Sequence, residues 1–308
     1  MRWENPIRFY WYFQGNLIGI APADYLVFTW GVPELPEVET VRRGLAQFTT
    51  GFTIAAAEGF HPRVLKPASL GPLGSVVGAR IKSVNRRGKF LWFVLDRDQA
   101  LVAHLGMSGQ FLFPRKDRPE PGHVRARFAL KKGLKRQELV YSDQRTFGWL
   151  SVEEMHDGVP TSALHIAVDP FDSAFDRDAV IAAMKSRKAA IKSVILNQEI
   201  MSGVGNIYAD ESLWRARIHP EVAANELSVR KIGTLVDAAI EVMAEAVEVG
   251  GTSFDAMYIN VNGESGFFET SLAAYGQEGE PCPRCGRQIR RIAFGNRSSH
   301  FCPKCQLK

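Results

Sequence analysis

Apolar residues early in the chain recur every three or four positions, which is the spacing of one face of an α-helix. The recurring residues are Val38, Val41, Leu45 and Phe48. Pro36 suits the first turn of a helix, because the N–H that it lacks would have no partner there. Glu37 places a negative charge near the positive end of the helix dipole. The pattern therefore predicts a short amphipathic helix from Pro36.

Short segments rich in β-branched and aromatic residues follow, and several of them alternate between apolar and polar positions. The candidate strands include Arg80–Val84, Phe90–Leu95, Ala100–Leu105, Gln110–Phe113, Val124–Leu130 and Glu138–Tyr141. Turn signals such as Lys132-Gly133 separate them. The pattern predicts an all-β, sandwich-like domain behind the leading helix.

From Asp176 onward the apolar spacing is helical again. One long apolar stripe runs through residues 232–243, and Gly250-Gly251 then gives the signal for a helix end. A segment rich in Gly, Ser and Asn covers residues 251–266. The sequence thus predicts an α+β chain, with a β-sandwich domain at 33–168, a helical domain at 169–265 and a cysteine-containing ribbon at 266–308.

The charge of the chain adds a partner class to this picture. The 308 residues carry a formal charge of +5 with a pI of about 9.0, and 45% hydrophobic content is ordinary for a globular protein. Seven Lys and Arg residues follow Glu280, the last acid, without an opposing charge. The excess of positive charge favours a polyanionic partner. A run of basic residues is, however, also typical of a solvated surface.

All four cysteines lie in that basic tail. Their order is Cys-x2-Cys, sixteen residues, Cys-x2-Cys, formed by Cys282, Cys285, Cys302 and Cys305. This spacing is typical of a tetrahedral zinc site built from two knuckles. The alternative is two disulfides in a secreted protein. Zinc is favoured because the rest of the chain has no cysteine, and four thiolates imply a reducing, cytoplasmic compartment.

The first 32 residues do not fit the pattern that follows them. They are rich in aromatic and apolar residues, but Gln14, Gly15 and Asn16 interrupt the run, which disfavours a membrane span. A signal peptide would export the thiolates to an oxidising space. We therefore expect residues 1–32 to be an extension produced by a misassigned start, with Val32 as the initiator and Pro33 as the first residue after its removal.

Three further segments carry polar residues in glycine-flanked turns. Residues 203–208 read Gly-Val-Gly-Asn-Ile-Tyr, residues 104–109 read His-Leu-Gly-Met-Ser-Gly, and residues 143–148 read Asp-Gln-Arg-Thr-Phe-Gly. Taken alone, the first is a tight turn between helices and lacks the third glycine of a dinucleotide-binding fingerprint. Taken alone, Met107 and Phe147 are more readily interpreted as residues of a hydrophobic core.

Together these motifs resemble the formamidopyrimidine-DNA glycosylase family, whose members begin at a sequence like Pro33-Glu34-Leu35-Pro36-Glu37. The resemblance covers residues 33–308 in the correct order. It implies a β-sandwich domain with a leading helix, a helix–two-turn–helix domain and a four-cysteine zinc ribbon. It also implies a bifunctional DNA glycosylase and lyase that repairs damaged double-stranded DNA.

The resemblance assigns a catalytic role to four residues. Pro33 would supply an N-terminal amine that attacks the deoxyribose, and Glu34 would donate a proton to the sugar. Lys89, in the segment Arg86-Arg87-Gly88-Lys89-Phe90, would assist β-elimination, although taken alone that segment reads as a basic surface turn. Arg297, five residues before Cys302, would grip phosphates and assist δ-elimination.

The resemblance also assigns DNA contacts. Asn206 and Lys192 would bind phosphate, and Met107, Arg145 and Phe147 would fill the gap left by an everted base; we refer to these three as the gap-filling candidates. Arg187 and His123 match family positions less closely. Pro121 replaces a usual histidine near His123, and Thr146 replaces a common second arginine.

The expected lesions are oxidised purines, namely 8-oxoguanine and formamidopyrimidines, since Leu35 replaces the glycine usual in pyrimidine-directed relatives. The loop through Ser253, Tyr258, Asn260 and Asn262 would cover the everted base. We expect a monomer with one structural zinc ion, no nucleotide cofactor and no membrane association. Two alternatives remain: a non-catalytic DNA-binding zinc protein, if residues 1–32 are retained, and a pyrimidine-lesion glycosylase.

Overall fold

A computed structural model describes residues 33–115, 119–251 and 271–308 of the chain. The α-helices of these ranges are α1 (Leu35–Thr49), α2 (Arg177–Lys185), α3 (Ile191–Ile195), α4 (Asn206–Ala216) and α5 (Val229–Glu248). The strands are β1 (Thr53–Gly59), β2 (Ile81–Arg87), β3 (Phe90–Leu95), β4 (Gln99–His104), β5 (Gly109–Leu112), β6 (Val124–Lys132), β7 (Lys135–Asp143), β8 (Trp149–His156), β9 (Val159–Pro160), β10 (Arg290–Phe294) and β11 (Arg297–Phe301).

Two antiparallel sheets enclose the first core. One sheet has the order β1-β6-β7-β5, and the other has the order β2-β3-β4-β8-β9. Aromatic side chains meet between them, and the rings of Phe93 and Phe111 lie edge to face with their centroids 5.6 Å apart. The predicted sandwich with a leading helix is confirmed. Strands β1, β8 and β9 of these sheets were not among the predicted strands. For β1, the reason is that its Ala-Glu-Gly run lacks alternation.

Helix α1 packs against this core through the predicted stripe, with one exception. Val38, Val41 and Leu45 are buried, but Phe48 is 40% exposed and meets the edge of Phe113 instead. The helix begins at Leu35, one residue before the predicted start. The spacing therefore identifies the buried face of the helix but overestimates the burial of Phe48 near its end.

Helices α2 to α5 surround a second core. The N-terminus of α5 is capped by Ser228, whose side chain accepts a hydrogen bond from the N–H of Lys231, and the helix ends before Gly250 and Gly251. Both glycines have φ above +80°, a conformation that favours glycine, so the predicted helix end is confirmed. Among the described helices, none has the length and apolar character needed to cross a membrane.

The two cores meet at the start of α1. The side chain of Leu35 is fully buried in the helical core, and its N–H donates to the carbonyl of Gly203 at 3.1 Å. A Cβ on Gly203 would lie 2.4 Å from the Leu35 side chain, so the turn can approach this closely only with glycine. Nearby, Arg86 bonds Asp169 at 2.8 Å and Glu39 at 3.0 Å. The junction therefore fixes the residue that follows Glu34 against the turn before α4.

Candidate active site and nucleic-acid interface

The carboxylate of Glu34 lies at the N-terminus of α4, far away in sequence. It is 3% exposed and accepts hydrogen bonds from the N–H groups of Gly205 at 2.7 Å, Ile207 at 2.9 Å and Tyr208 at 3.3 Å. The first turn of a helix offers unpaired N–H donors and a positive dipole end, so it suits an anion. Pro33 lies directly before this residue, at the entry to α1. The pair is thus anchored to the helical domain.

The turn before α4 is shaped to receive this carboxylate. A Cβ on Gly205 would lie 2.2 Å from the Glu34 carboxyl carbon, so only glycine fits there. Gln198 holds the same turn from behind, since its side chain accepts a hydrogen bond from the N–H of Gly203 and donates to the carbonyl of Val204, both at 2.9 Å. The motif at residues 203–208 therefore has a close-approach function and is more than a connection between helices.

Burial raises the pKa of Glu34 to about 7, against the opposing effects of nearby Lys89 and the backbone N–H donors. A carboxyl group with this pKa is present in both protonation states near neutral pH. It can therefore donate a proton to a reacting atom and remain a stable carboxylate afterwards.

Lys89 reaches the same turn from the β-sandwich side. Its Nζ donates to the carbonyl of Val204 at 3.1 Å. Burial is the main effect that lowers the pKa of this lysine, Arg297 lowers it further, and Glu34 acts in the opposite direction. Lys89, Glu34 and the turn thus form one cluster, and the amine of Lys89 is easier to deprotonate than that of an exposed lysine.

Arg297 is the first residue of β11 and is exposed beside the tight turn of the β10–β11 hairpin. Its guanidinium is close enough to Lys89 to affect the pKa of that residue. The ribbon therefore brings a cation to the edge of the Glu34 and Lys89 cluster.

The three gap-filling candidates are carried by two neighbouring loops. The Nη1 atom of Arg145 lies 3.7 Å from the Sδ atom of Met107. Phe147 is 58% exposed, although it is a large apolar side chain. An exposed aromatic ring near a methionine and an arginine is unusual for a core and suits a surface that receives a partner. The alternative interpretation of Met107 and Phe147 as core residues does not fit Phe147.

Asn206, Arg187 and His123 occupy different parts of the surface. Asn206 is half-buried at the start of α4, and its Oδ1 atom is buried without a hydrogen-bond partner among the described residues. Arg187 is exposed after α2. His123 is exposed with φ of +54°, and its carbonyl accepts a hydrogen bond from the N–H of Asp143 at 3.0 Å, which places it beside the loops of the gap-filling candidates.

Lys192 is not available for the phosphate contact that the resemblance implied. Its side chain is fully buried, and its Nζ lies 2.7 Å from Asp210 Oδ1 and 2.8 Å from the carbonyl of Ser298. An ammonium group in a buried ion pair cannot contact a ligand in solvent. In this arrangement Lys192 instead joins α3 and α4 to the ribbon hairpin, and the sequence interpretation is corrected accordingly.

The four cysteines form a cluster with the geometry of a zinc site. Their Sγ atoms all lie within 4.8 Å of one another, and tetrahedral zinc with Zn–S bonds of about 2.3 Å requires sulfur atoms about 3.8 Å apart. The indole Nε1 of Trp214 donates to Cys282 Sγ at 3.4 Å. Cys282, Cys285, Cys302 and Cys305 therefore fit one structural zinc ion. The imidazole of His300 contacts Asp210.

Several residues of the site received no role from the sequence alone. Tyr208 donates its hydroxyl to Glu37 at 2.7 Å, Asp210 pairs with Lys192, and Gln198 holds the turn. Each acts through a partner that no local spacing pattern links to it. The predicted initiator Val32 and the loop residues Ser253, Tyr258, Asn260 and Asn262 lie outside the described residues.

Family models match the chain in three consecutive segments. The N-terminal domain of formamidopyrimidine-DNA glycosylase matches residues 32–150, and the H2TH domain of the same enzyme matches residues 166–257. A zinc finger found in FPG and IleRS matches residues 279–307. These segments agree with the three parts of the fold.

Individual proteins match over most of the chain. The formamidopyrimidine-DNA glycosylase of Nocardioides sp. is 50% identical over 278 residues, which cover 89% of this chain and 94% of that protein. A crystal structure of the MutM (Fpg) protein from Thermus thermophilus is 38% identical, with a TM-score of 0.78, and covers 89% of this chain and 98% of the other. A structure of MutM in complex with DNA containing carbocyclic 8-oxo-G is 34% identical, with a TM-score of 0.76. The match covers 90% of this chain and 100% of the other. The chain therefore belongs to the formamidopyrimidine-DNA glycosylase family.

Proposed function

We propose that this protein is a bifunctional DNA glycosylase and AP lyase of base excision repair, with the nitrogen of Pro33 as its nucleophile. The observation that carries the proposal is the Glu34 site: a buried carboxyl next to Pro33, with a pKa of about 7, held by the turn before α4 and close to Lys89. Family membership supports the glycosylase activity, and the geometry supports the proposed details of the reaction.

The nucleophile requires a free amine at Pro33. An α-amine titrates at about 7.7–8.0, well below a lysine at about 10.4, so a useful fraction is neutral at physiological pH. The neutral nitrogen attacks C1′ of the deoxyribose as the damaged base leaves. Once the sugar ring has opened, the secondary amine holds C1′ as an iminium ion, which is covalent Schiff-base catalysis. This proposal implies that residues 1–32 are absent from the active protein.

Glu34 is placed to donate the proton that opens the sugar ring. Covalent geometry keeps its carboxyl beside the Pro33 nitrogen, and its raised pKa keeps a protonated fraction near neutral pH. Lys89, with its lowered pKa, accepts or returns protons during β-elimination, in which the 3′ phosphate leaves after loss of a C2′ proton. Arg297 at the ribbon edge holds the flanking phosphates for δ-elimination of the 5′ phosphate.

The gap-filling candidates suit the recognition of a base that has left the helix. Removing a base from the stack costs about a few kcal/mol, and apolar side chains inserted into the space offset part of this cost. Exposed Phe147 and neighbouring Met107 supply apolar surface, while Arg145 can donate hydrogen bonds to the base left without a partner. Asn206 and Arg187 are proposed phosphate contacts, as is His123 beside the same loops.

We infer that the lesions are oxidised purines in double-stranded DNA. Leu35 favours the enzymes that act on oxidised purines over the relatives that act on pyrimidine lesions. A similar structure contains DNA with carbocyclic 8-oxo-G. The four cysteines would hold one zinc ion, which supplies folding free energy to the ribbon and takes no part in proton transfer. We further propose a monomer that acts in the cytoplasm without a nucleotide cofactor.

The test is borohydride trapping on a duplex that contains 8-oxoguanine. The protein that begins at Pro33 should form a covalent adduct with the DNA, because borohydride reduces the iminium ion. The 308-residue chain, in which the Pro33 nitrogen is part of a peptide bond, is the matched control and should form none. Absence of an adduct from the protein that begins at Pro33 would refute the nucleophile.

Two comparisons separate the alternatives. Pro33→Gly should weaken lyase chemistry while DNA binding persists, whereas equal loss of both would argue for a structural role of Pro33. Faster cleavage of a thymine-glycol duplex than of an 8-oxoguanine duplex would indicate a pyrimidine-lesion glycosylase. A non-catalytic DNA-binding protein would bind both duplexes and cleave neither.

A further inference from the structure

The two loops of the gap-filling candidates share one buried carboxylate, which the proposed reaction does not use. Asp143 is fully buried at the end of β7. Its Oδ1 atom accepts hydrogen bonds from the hydroxyl of Ser108 at 2.5 Å and the N–H of Thr146 at 3.0 Å, and its Oδ2 atom accepts one from the N–H of Gly148 at 2.8 Å. One side chain therefore holds both loops.

Each of these bonds ends beside a gap-filling candidate. Ser108 follows Met107, and its Oγ atom also accepts a hydrogen bond from the N–H of Arg145 at 3.0 Å. Thr146 and Gly148 lie on either side of Phe147 in sequence. The carboxylate thus fixes the backbone next to all three candidates through bonds to their chain neighbours.

The loops are also pressed together backbone to backbone. Gly106 has φ of +60°, and a Cβ on it would lie 2.4 Å from the nitrogen of Gly148. A Cβ on Gly148 would lie 1.9 Å from the hydroxyl of Tyr141. The backbones of the two loops are therefore in direct contact beside Met107 and Phe147.

The bond to Thr146 stabilises a backbone conformation that is otherwise unfavourable. Thr146 has φ of +54°, which is rare for a β-branched residue. Strain of this kind persists only where surrounding contacts overdetermine the conformation. The N–H bond to Asp143 is one such contact.

We propose that Asp143, together with Ser108, is a positioning residue that holds Met107, Arg145 and Phe147 in the arrangement needed to fill a gap in the DNA. The inference rests on the proposed function, because it requires that these three side chains enter the duplex. Asp143 would act through the loops. Its loss would weaken binding to a duplex that lacks one base more than it weakens binding to intact DNA.

The test measures the affinity of the protein that begins at Pro33 for two duplexes of the same sequence. One duplex carries a single tetrahydrofuran abasic-site analogue, and the other is intact. The wild-type protein should bind the abasic-site duplex more tightly than the intact duplex. Asp143→Asn should lose about 10- to 100-fold of that affinity, the scale of one hydrogen bond to a charged group, and should keep its affinity for the intact duplex. Ser108→Ala, which removes the bond to Asp143 and the bond from the N–H of Arg145, should lose affinity in the same direction.

Glu153→Gln is the matched control, since Glu153 is another buried carboxylate, bonded to the N–H of Ser162 at 2.8 Å, on the other sheet. It should leave both affinities unchanged. Equal loss on both duplexes in Asp143→Asn and Ser108→Ala, or no loss in either variant, would overturn the positioning role. A wild-type chain that binds both duplexes equally would overturn the proposed gap filling itself, and this inference with it.

Discussion

At the scale of single residues, Glu34 differs from an ordinary carboxyl group because of where its chain neighbours place it. It precedes α1, yet its oxygens are bonded to the N–H groups at the start of α4. Burial outweighs those bonds and raises its pKa to about 7. The folded protein therefore binds a proton at Glu34 more tightly than the unfolded chain does, and stability depends on pH as a result.

Glu34→Gln should remove this pH dependence. In the wild type, the contribution of Glu34 to the free energy of unfolding is greatest below about pH 4.5 and falls as pH rises to about 7, by about 3 kcal/mol in all. Chemical denaturation of both proteins at about pH 5.5 and about pH 8 checks this, since other titrating groups cancel in the difference. Glu39→Gln is the control, because the pKa of Glu39 is lowered to about 2 by its arginine partners, against the effect of burial. A wild-type minus Glu34→Gln difference that stays constant with pH would contradict the prediction.

Thr146→Asn should stabilise the protein by about 1 kcal/mol, because asparagine adopts a positive φ more readily than a β-branched residue. The free energy of unfolding measures the gain. Thr161→Asn, at an exposed threonine without positive φ, should give none. Equal effects of the two substitutions would show that backbone strain at Thr146 is not the cause.

At the scale of elements, the ribbon hairpin is held to α4 by a buried polar cluster. Asp210 on α4 pairs with Lys192 and accepts hydrogen bonds from the hydroxyl of Ser299 and the backbone N–H of His300, both at 2.8 Å. These bonds satisfy a fully buried carboxylate, and they also fix the position of β11. Since Arg297 starts that strand, the cluster links the position of a proposed phosphate contact to α4.

Lys192→Met should destabilise the protein by about 3 to 5 kcal/mol, because it leaves the charge of Asp210 buried without its partner. The double variant Lys192→Met with Asp210→Asn removes both charges and should recover part of the loss. Urea denaturation of the two single variants and the double variant measures the coupling. Strictly additive losses would contradict the buried ion pair as the cause.

The elements were largely predictable from sequence, and the contacts between them were not. Periodicity identified α1, the main strands and the end of α5, and cysteine spacing identified the zinc cluster. The family resemblance assigned Lys192 to a DNA phosphate, because a motif match does not reveal whether an ammonium group faces water or a carboxylate on another helix. The bond from Gly205 to Glu34 spans 171 positions, and no local pattern encodes a contact of that range.

At the scale of the whole molecule, we expect the folding of the ribbon to require its zinc ion. The β-sandwich and the helical domain should fold without zinc. The second pair of cysteines is tied to the helical domain by Gln306, which accepts a hydrogen bond from the N–H of Cys302 and donates to the carbonyl of Ile218. The two large cores lie elsewhere, in the sandwich and among α2 to α5. Loss of zinc should therefore unfold one part of the molecule and leave the others folded.

Cys302→Ser should lower the zinc content from one ion per chain and reduce DNA affinity about tenfold or more, since Arg297 loses its placement. Metal analysis and DNA titration measure both effects, and circular dichroism should show that the helical signal persists. Added zinc should restore DNA binding to a chelator-treated wild type and fail to restore it in the variant. Unchanged zinc content and affinity in Cys302→Ser would refute the assignment.

The contact between Glu34 and the turn before α4 has a consequence for how this protein can be divided. Three family segments suggest three exchangeable modules, but the proposed reacting centre draws on all of them: the carboxyl comes from the first, the N–H groups that hold it come from the second, and Arg297 comes from the third. No single module contains the whole site. Replacing the first or the second module with that of a distant relative would require both sides of the Glu34–Gly205 contact to remain compatible, so these two domains are expected to evolve together.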